Sequence, residues 1–140
     1  MTTLLLDASA ILAAFDPEDK SHEPASVLLI DSELTLVTLD LARYEVANVA
    51  ICAWRSPKAV APLLAAIDRI AEDGGVIEAT SSLLSAAADL AEHHAISVYD
   101  AAYVVAATEA GRILVSCDVR DLISKGLAKM PGDVVGSGTS

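Results

Sequence analysis

The sequence predicts an α/β fold on a mainly parallel sheet, and three observations point there. Short apolar runs alternate with longer stretches of helical periodicity, the runs are rich in leucine or β-branched residues, and two of them end directly on an aspartate. At 140 residues and 54% apolar content, the chain is expected to form one domain over residues 1–135, followed by a small polar tail at 136–140.

Residues 3–6 are too short for a helix and read as a buried strand, after which 8–15 continue as an alanine-rich helix that stops at Asp16-Pro17. Residues 21–30 form a second helix, with Pro24 tolerable in its first turn, and 34–38 a second strand bounded by acids. Asp40 is expected to cap the next helix, in which Leu41, Ala42, Val46, Val49, Ala50 and Ala53 recur at helical spacing. Pro57 opens a further helix to about Asp73, which Gly74-Gly75 ends.

A short strand at 76–79 precedes Thr80, the cap of an amphipathic helix whose Leu83, Leu84, Ala87, Leu90, Ala91 and His94 share a face. After a break at Ile96-Ser97, residues 100–110 form an almost wholly apolar helix stopped by Gly111, and 113–116 a β-branched strand leading to Cys117-Asp118. Residues 119–125 are expected to add a helical turn or two, and 134–135 a last edge strand.

No apolar stretch reaches the roughly 18 residues of a membrane span. The start, Met-Thr-Thr-Leu-Leu-Leu-Asp, lacks the basic region of a secretory signal, so the expected location is the cytoplasm, without membrane association. Cys52 and Cys117 read as reduced small hydrophobes in the core. The net charge of −11 argues against binding nucleic acid through a broad basic surface, but not against a nuclease whose acids gather around cations.

Four acids decide the functional reading: Asp7, Glu45, Asp100 and Asp118 each stand inside or at the mouth of an apolar segment. Burying an unpaired carboxylate is unfavourable enough to need a reason. Singly, Asp7 also reads as a helix N-cap, Asp100 as an acid favoured by a helix dipole, and Asp118 as the opening of a turn ahead of Asp121. Glu45 is harder to explain that way, since it lies beside the apolar stripe of its helix.

In a parallel sheet, ligands collect at the carboxyl ends of the strands, where Asp7 and Asp118 belong, and the helices bearing Glu45 and Asp100 then have to face that edge. A cluster of carboxylates repels itself unless cations occupy it. Oxygen-only ligands select Mg2+, with Mn2+ as a substitute, a chemistry suited to phosphodiester hydrolysis. The chain has no phosphate loop, no His-Glu-x-x-His and no Cys-x-x-Cys. His93 and His94 read as one exposed and one half-buried structural histidine, and His22 as part of a polar loop.

Four pieces stand out together: Leu5-Leu6-Asp7-Ala8-Ser9-Ala10-Ile11-Leu12, Tyr44-Glu45-Val46-Ala47-Asn48, Tyr99-Asp100-Ala101-Ala102-Tyr103-Val104-Val105-Ala106-Ala107, and Ile113-Leu114-Val115-Ser116-Cys117-Asp118-Val119-Arg120-Asp121-Leu122. In order and spacing, over roughly residues 3 to 125, they resemble the PIN-domain nucleases and, within them, the VapC-like toxins of bacterial toxin–antitoxin modules.

The resemblance implies a metal-dependent endoribonuclease of three-layer α/β/α form with a central, mainly parallel sheet of four to five strands. It also implies a homodimer and a small cognate antitoxin whose peptide covers the acidic pocket. The first helices, rich in Ala, Leu and Val, are expected to offer that antitoxin an apolar groove. By position, Asp7 and Asp100 resemble direct metal ligands, Glu45 a ligand or a carboxylate acting through bound water, and Asp118 the fourth acid, with Asp121 as a helper. Asn48 resembles the polar residue that accompanies this Glu, and Ser9 and Ser116 the hydroxyl positions. Cys117, Leu122 and Arg43 depart from the familiar pattern and leave substrate preference open.

Two other classes compete: a catalytically silent domain whose acids receive Arg side chains of a partner, and a phosphatase of the haloacid-dehalogenase type. The phosphatase needs a second Asp two positions after the first, where this chain has Ser9.

Overall fold

The computed structural model describes residues 2–135, so the tail expected at 136–140 lies outside the described residues. Four strands, β1 (Thr2–Leu6), β2 (Leu34–Leu39), β3 (Val76–Ile77) and β4 (Ile113–Val115), form one sheet in the order β3-β2-β1-β4. Every pairing is parallel: Leu4 stands opposite Leu36, Leu5 opposite Leu114 and Thr38 opposite Val76. Leu4, Leu5 and Leu6 are enclosed on both faces of the sheet, which explains their unbroken apolar run.

The helices are α1 (Ala8–Ala13), α2 (His22–Ile30), α3 (Leu41–Cys52), α4 (Val60–Asp73), α5 (Ser81–His94), α6 (Val98–Ala110) and α7 (Pro131–Val134). Helix α1 packs on α3 and α3 on α4, while α5 and α6 pack on each other and α6 crosses β2 and β4. With the right-handed crossovers that parallel units adopt, this order puts α1 to α4 on one face and α5 and α6 on the other. The strand order reverses direction between β1 and β4, so the switch point lies where β1 and β4 end.

Helix α6 is central. Ala101 to Ala107 are all buried, and alanines let its backbone come close to the sheet. Helix α5, by contrast, buries only a stripe of Leu83, Ala87 and Ala91, while Leu84 of the expected apolar face is exposed, and Thr80 caps it through Leu83 N–H at 3.1 Å. Gly74 ends α4 where no side chain fits: a Cβ there would stand 1.8 Å from the carbonyl oxygen of Leu36. No helix among the described residues is long and apolar enough to cross a membrane.

Several expectations give way. Asp40 does not cap α3; it is itself helical, and its carboxylate accepts from Ala79 N–H at 3.3 Å, tying the start of α3 to the end of β3. Residues 134–135 are not a strand, because Pro131 at the first helical position favours the short helix α7. The outer side of β4 is instead bridged by Lys129, whose N–H donates to Leu114 O and whose carbonyl accepts from Ser116 N–H, both at 2.9 Å. Residues Val119–Ile123 form a π-helical turn, wider than the α-helix expected there. Cys52 is exposed at the end of α3 and Cys117 only partly buried, so neither is a core thiol. His22 is the first residue of α2, with its ring Nδ1 2.9 Å from Ala13 O, rather than part of a loop.

Candidate active site

The carboxyl end of β1 delivers Asp7 in an extended conformation, just before α1. Its Oδ1 accepts from Ser9 Oγ at 2.6 Å and from Ala10 N–H at 3.0 Å, so the cap reading of this residue holds. Only 4% of the residue is exposed. Burial raises its pKa to about 6 even though Ser116, Ser9 and Ala10 pull the other way, and Glu45 adds to the rise.

Beside it, β4 is followed by the buried Ser116, then Cys117 and Asp118. Asp118 caps the π turn, accepting from Asp121 N–H at 3.0 Å. Hydroxyls lace the two strand ends together: Ser9 Oγ accepts from Cys117 N–H at 2.8 Å, Ser116 Oγ from Asp118 N–H at 3.0 Å, and the two hydroxyl oxygens lie 3.2 Å apart. The Cys117 thiol is pushed up to about 11, chiefly by burial, and stays protonated.

Helices bring the other acids. α6 runs back across the sheet, so its first turn lies at the carboxyl edge, and there Ser97 accepts from Asp100 N–H at 3.0 Å. With Ser97 as the cap, the Asp100 carboxylate is left to face Asp118, Asp7 and Asp121. Burial first, then these acids in that order, raise it to about 6. Helix α3 starts where β2 ends and presents Glu45 from its second turn. Burial and the charge of Asp100 raise its pKa, against a hydrogen bond from Tyr103 Oη at 2.7 Å.

Asp7, Glu45, Asp100 and Asp118 therefore act on one another through space, and Asp121 joins them. The tightest group is Asp100, Asp118 and Asp121, each offering an oxygen within 4.8 Å of the others. Asp7 and Glu45 stand outside that trio, close enough to influence its charge. Asn48 does not join: it is exposed and accepts from Cys52 Sγ at 3.3 Å. Among the described residues, the ion pair reaching the cluster is Arg120 to Asp121 at 3.3 Å, from an arginine side chain that is 91% exposed.

A donor set of carboxylates and hydroxyls, half-buried and short of compensating positive charge, fits a hard divalent cation. Tyr103 is the participant that sequence reasoning missed. The available signal was a tyrosine in an otherwise apolar helix, since a buried phenol requires a polar partner.

Two apolar grooves lie beside the segments bearing Glu45 and Asp100, on the later helices. One of about 570 Å³ is lined by Leu41, Tyr44, Leu84, Val98, Tyr99 and Ala102 among others, and a second of about 700 Å³ by Tyr44, Ala47, Ile51 and Leu64 among others. Tyr44 and Tyr99 are 77% and 60% exposed, and each directly precedes one of the acids.

The sequence pattern of the PIN domain matches residues 4–125. The chain is 34% identical over 134 residues to Ribonuclease VapC3 of Pyrobaculum aerophilum, an alignment covering 87% of this chain and 93% of that protein. Its fold is similar to that of Mycobacterium tuberculosis VapC20, described as a sarcin-ricin loop cleaving toxin, with a TM-score of 0.70 at 18% identity over 88% of this chain and 95% of that one. It is also similar to a chain of a toxin-antitoxin complex from Klebsiella pneumoniae, with a TM-score of 0.66 at 13% identity over 91% and 97%. With the acids at the carboxyl edge of a parallel sheet, these likenesses make the chain a member of the PIN domain family.

Proposed function

We propose that the chain is a metal-dependent endoribonuclease that hydrolyses RNA phosphodiester bonds and serves as the toxin of a toxin–antitoxin module. The observation behind this reading is the convergence of acids from four distant segments, among which burial and neighbouring carboxylates raise the proton affinities of Asp7, Glu45 and Asp100. The identity to Ribonuclease VapC3 supports RNA as the substrate, and the likeness to a chain of a toxin-antitoxin complex supports a small antitoxin as partner. Homodimerisation and action in the cytoplasm belong to the same reading, as does a single domain over residues 1–135.

Asp100, Asp118 and Asp121 would hold Mg2+, or Mn2+ in its place, with Asp7 and Glu45 completing the negative surround. When bound, the cation supplies charge neutralisation at the phosphate and a more acidic water. Ser9 keeps Asp7 oriented through its 2.6 Å hydrogen bond, and Ser9 and Ser116 fix the spacing of the two strand ends. Glu45, with its proton affinity raised, is suited to take up a proton as the attacking water loses it. No side-chain nucleophile is required. The Ser9 hydroxyl is committed to structure, donating to Asp7 and accepting from Cys117 N–H.

Purified protein with Mg2+ or Mn2+ is expected to cleave RNA, and Asp7→Asn and Asp100→Asn are each expected to slow cleavage by about ten- to a hundredfold. Unchanged cleavage in both variants overturns the assignment. A wild-type protein that neither cleaves RNA nor gains heat stability from either cation fits the silent partner-binding domain instead.

A further inference from the structure

Tyr103 is the largest side chain fully enclosed by the core, with 1% exposure. Its neighbours along α6, Ala101 to Ala107, are apolar, and a phenylalanine would fill the same volume. The hydroxyl is nevertheless well placed. It donates to Glu45 Oε1 at 2.7 Å, joining residues 58 positions apart. The backbone N–H of Ala8, next to Asp7, approaches the phenolic oxygen of Tyr103. Tyr103 also stands one helical turn after Asp100 on α6. One phenolic oxygen thus meets or adjoins the segments bearing Asp7, Glu45 and Asp100.

At this burial the phenol reaches neither RNA nor bulk water, so it is not a catalytic residue. Burial, reinforced by Glu45, holds its pKa far above the ordinary tyrosine value, and it remains a donor at every physiological pH. Glu45 has the longest side chain of the five acids and is only half-buried. Among the described residues, no serine or backbone N–H holds its carboxylate as they hold Asp7, so the phenol is what restrains it.

We propose that Tyr103 is the positioning residue for Glu45: its hydroxyl occupies one carboxylate oxygen, keeps the side chain turned into the acid cluster, and thereby sets the affinity of the site for a divalent cation. This rests on reading the cluster as a cation site. Partners that orient a ligating group have effects of this kind without touching the ion.

The test titrates Mn2+ alone, without RNA, into wild type, Tyr103→Phe, Glu45→Ala and the double variant by calorimetry, with metal-free unfolding temperatures in parallel. Phenylalanine keeps the ring and its packing. Tyr103→Phe is expected to weaken Mn2+ binding about tenfold. In the Glu45→Ala background the same change is expected to add no further loss, because the hydroxyl then has nothing to hold. In RNA cleavage, Tyr103→Phe is expected to raise the Mg2+ concentration for half-maximal rate while leaving the KM for RNA in place.

A purely structural tyrosine would lower the unfolding temperature and leave Mn2+ affinity alone, and that result overturns the proposal. A full additional loss in the Glu45→Ala background overturns it too. A wild type that takes up no Mn2+ overturns the cation reading itself, whereas a binding wild type with an equally tight Tyr103→Phe overturns only this inference.

Discussion

Asp7 and Asp118 end neighbouring parallel strands and cap the succeeding helical turn in the same way, each accepting a backbone N–H three residues on at 3.0 Å. Their surroundings differ. Asp7 is 4% exposed behind Ser9, whereas Asp118 is only partly buried and shares the metal-spaced trio with Asp100 and Asp121. The same local motif thus holds once an enclosed, costly charge and once a more open acid within a carboxylate trio. Capping alone accounts for Asp118, but an asparagine would cap α1 equally well without a buried charge. The presence of a carboxylate at Asp7 is the feature that asks for a cation.

The sharpest contrast is expected in metal-free stability. In the folded protein Asp7 has a pKa of about 6, above its ordinary value of 3.8. A raised acid pKa means that the folded state binds the proton more tightly than the unfolded chain, so its stabilising share is full below about pH 4. That share is lost as pH rises through about 6. Asp7→Asn removes the penalty while keeping an oxygen acceptor for Ser9 and Ala10. Metal-free Asp7→Asn is expected to be more stable than wild type at pH 7 by about 2–3 kcal/mol, and equal to it near pH 4. Urea melts at the two pH values check this, and a wild type that is the more stable at pH 7 removes the contrast.

A smaller loss is expected on the hydroxyl side. Ser116 is fully buried and accepts from Asp118 N–H. Ser116→Ala leaves that N–H without its acceptor and is expected to cost about 1–3 kcal/mol by denaturant unfolding. Smallest of all, metal-free Asp118→Asn is expected to stay within about 0.5 kcal/mol of wild type, since asparagine caps as well as aspartate. Its Mn2+ affinity by calorimetry is nonetheless expected to fall at least tenfold. If Asp118→Asn stabilises the metal-free protein as much as Asp7→Asn does, the two positions are equivalent and the division between them disappears.

Much of the fold was legible because it depends on local chemistry. Leu4 to Leu6 announce a doubly covered strand, and Thr80 and Gly111 mark helix ends by rules that act over a few residues. The positions of Asp7 and Asp118 followed from the strands they terminate. Harder to read was whatever depends on distant or irregular geometry. Asp40 is drawn to Ala79 N–H, 39 residues away, a partner that no local pattern reveals. Asp121 reads in sequence only as a helper, yet it reaches the trio through a π turn, whose extra residue shifts side chains off the α-helical register. Tyr103 looked apolar by its neighbours, and only the approach of α3 to α6 gives its hydroxyl a task.

The sheet itself has a consequence for association. Its outermost strands offer little: β3 is two residues long, and the free flank of β4 is already stitched by Lys129. Among the described residues, an incoming polypeptide finds little ladder to lengthen, so annealing of strands, the usual hazard of open edges, is disfavoured at both margins. Recognition must then be written in side chains on helical surfaces, where single substitutions can rewire who binds whom while the scaffold beneath stays intact.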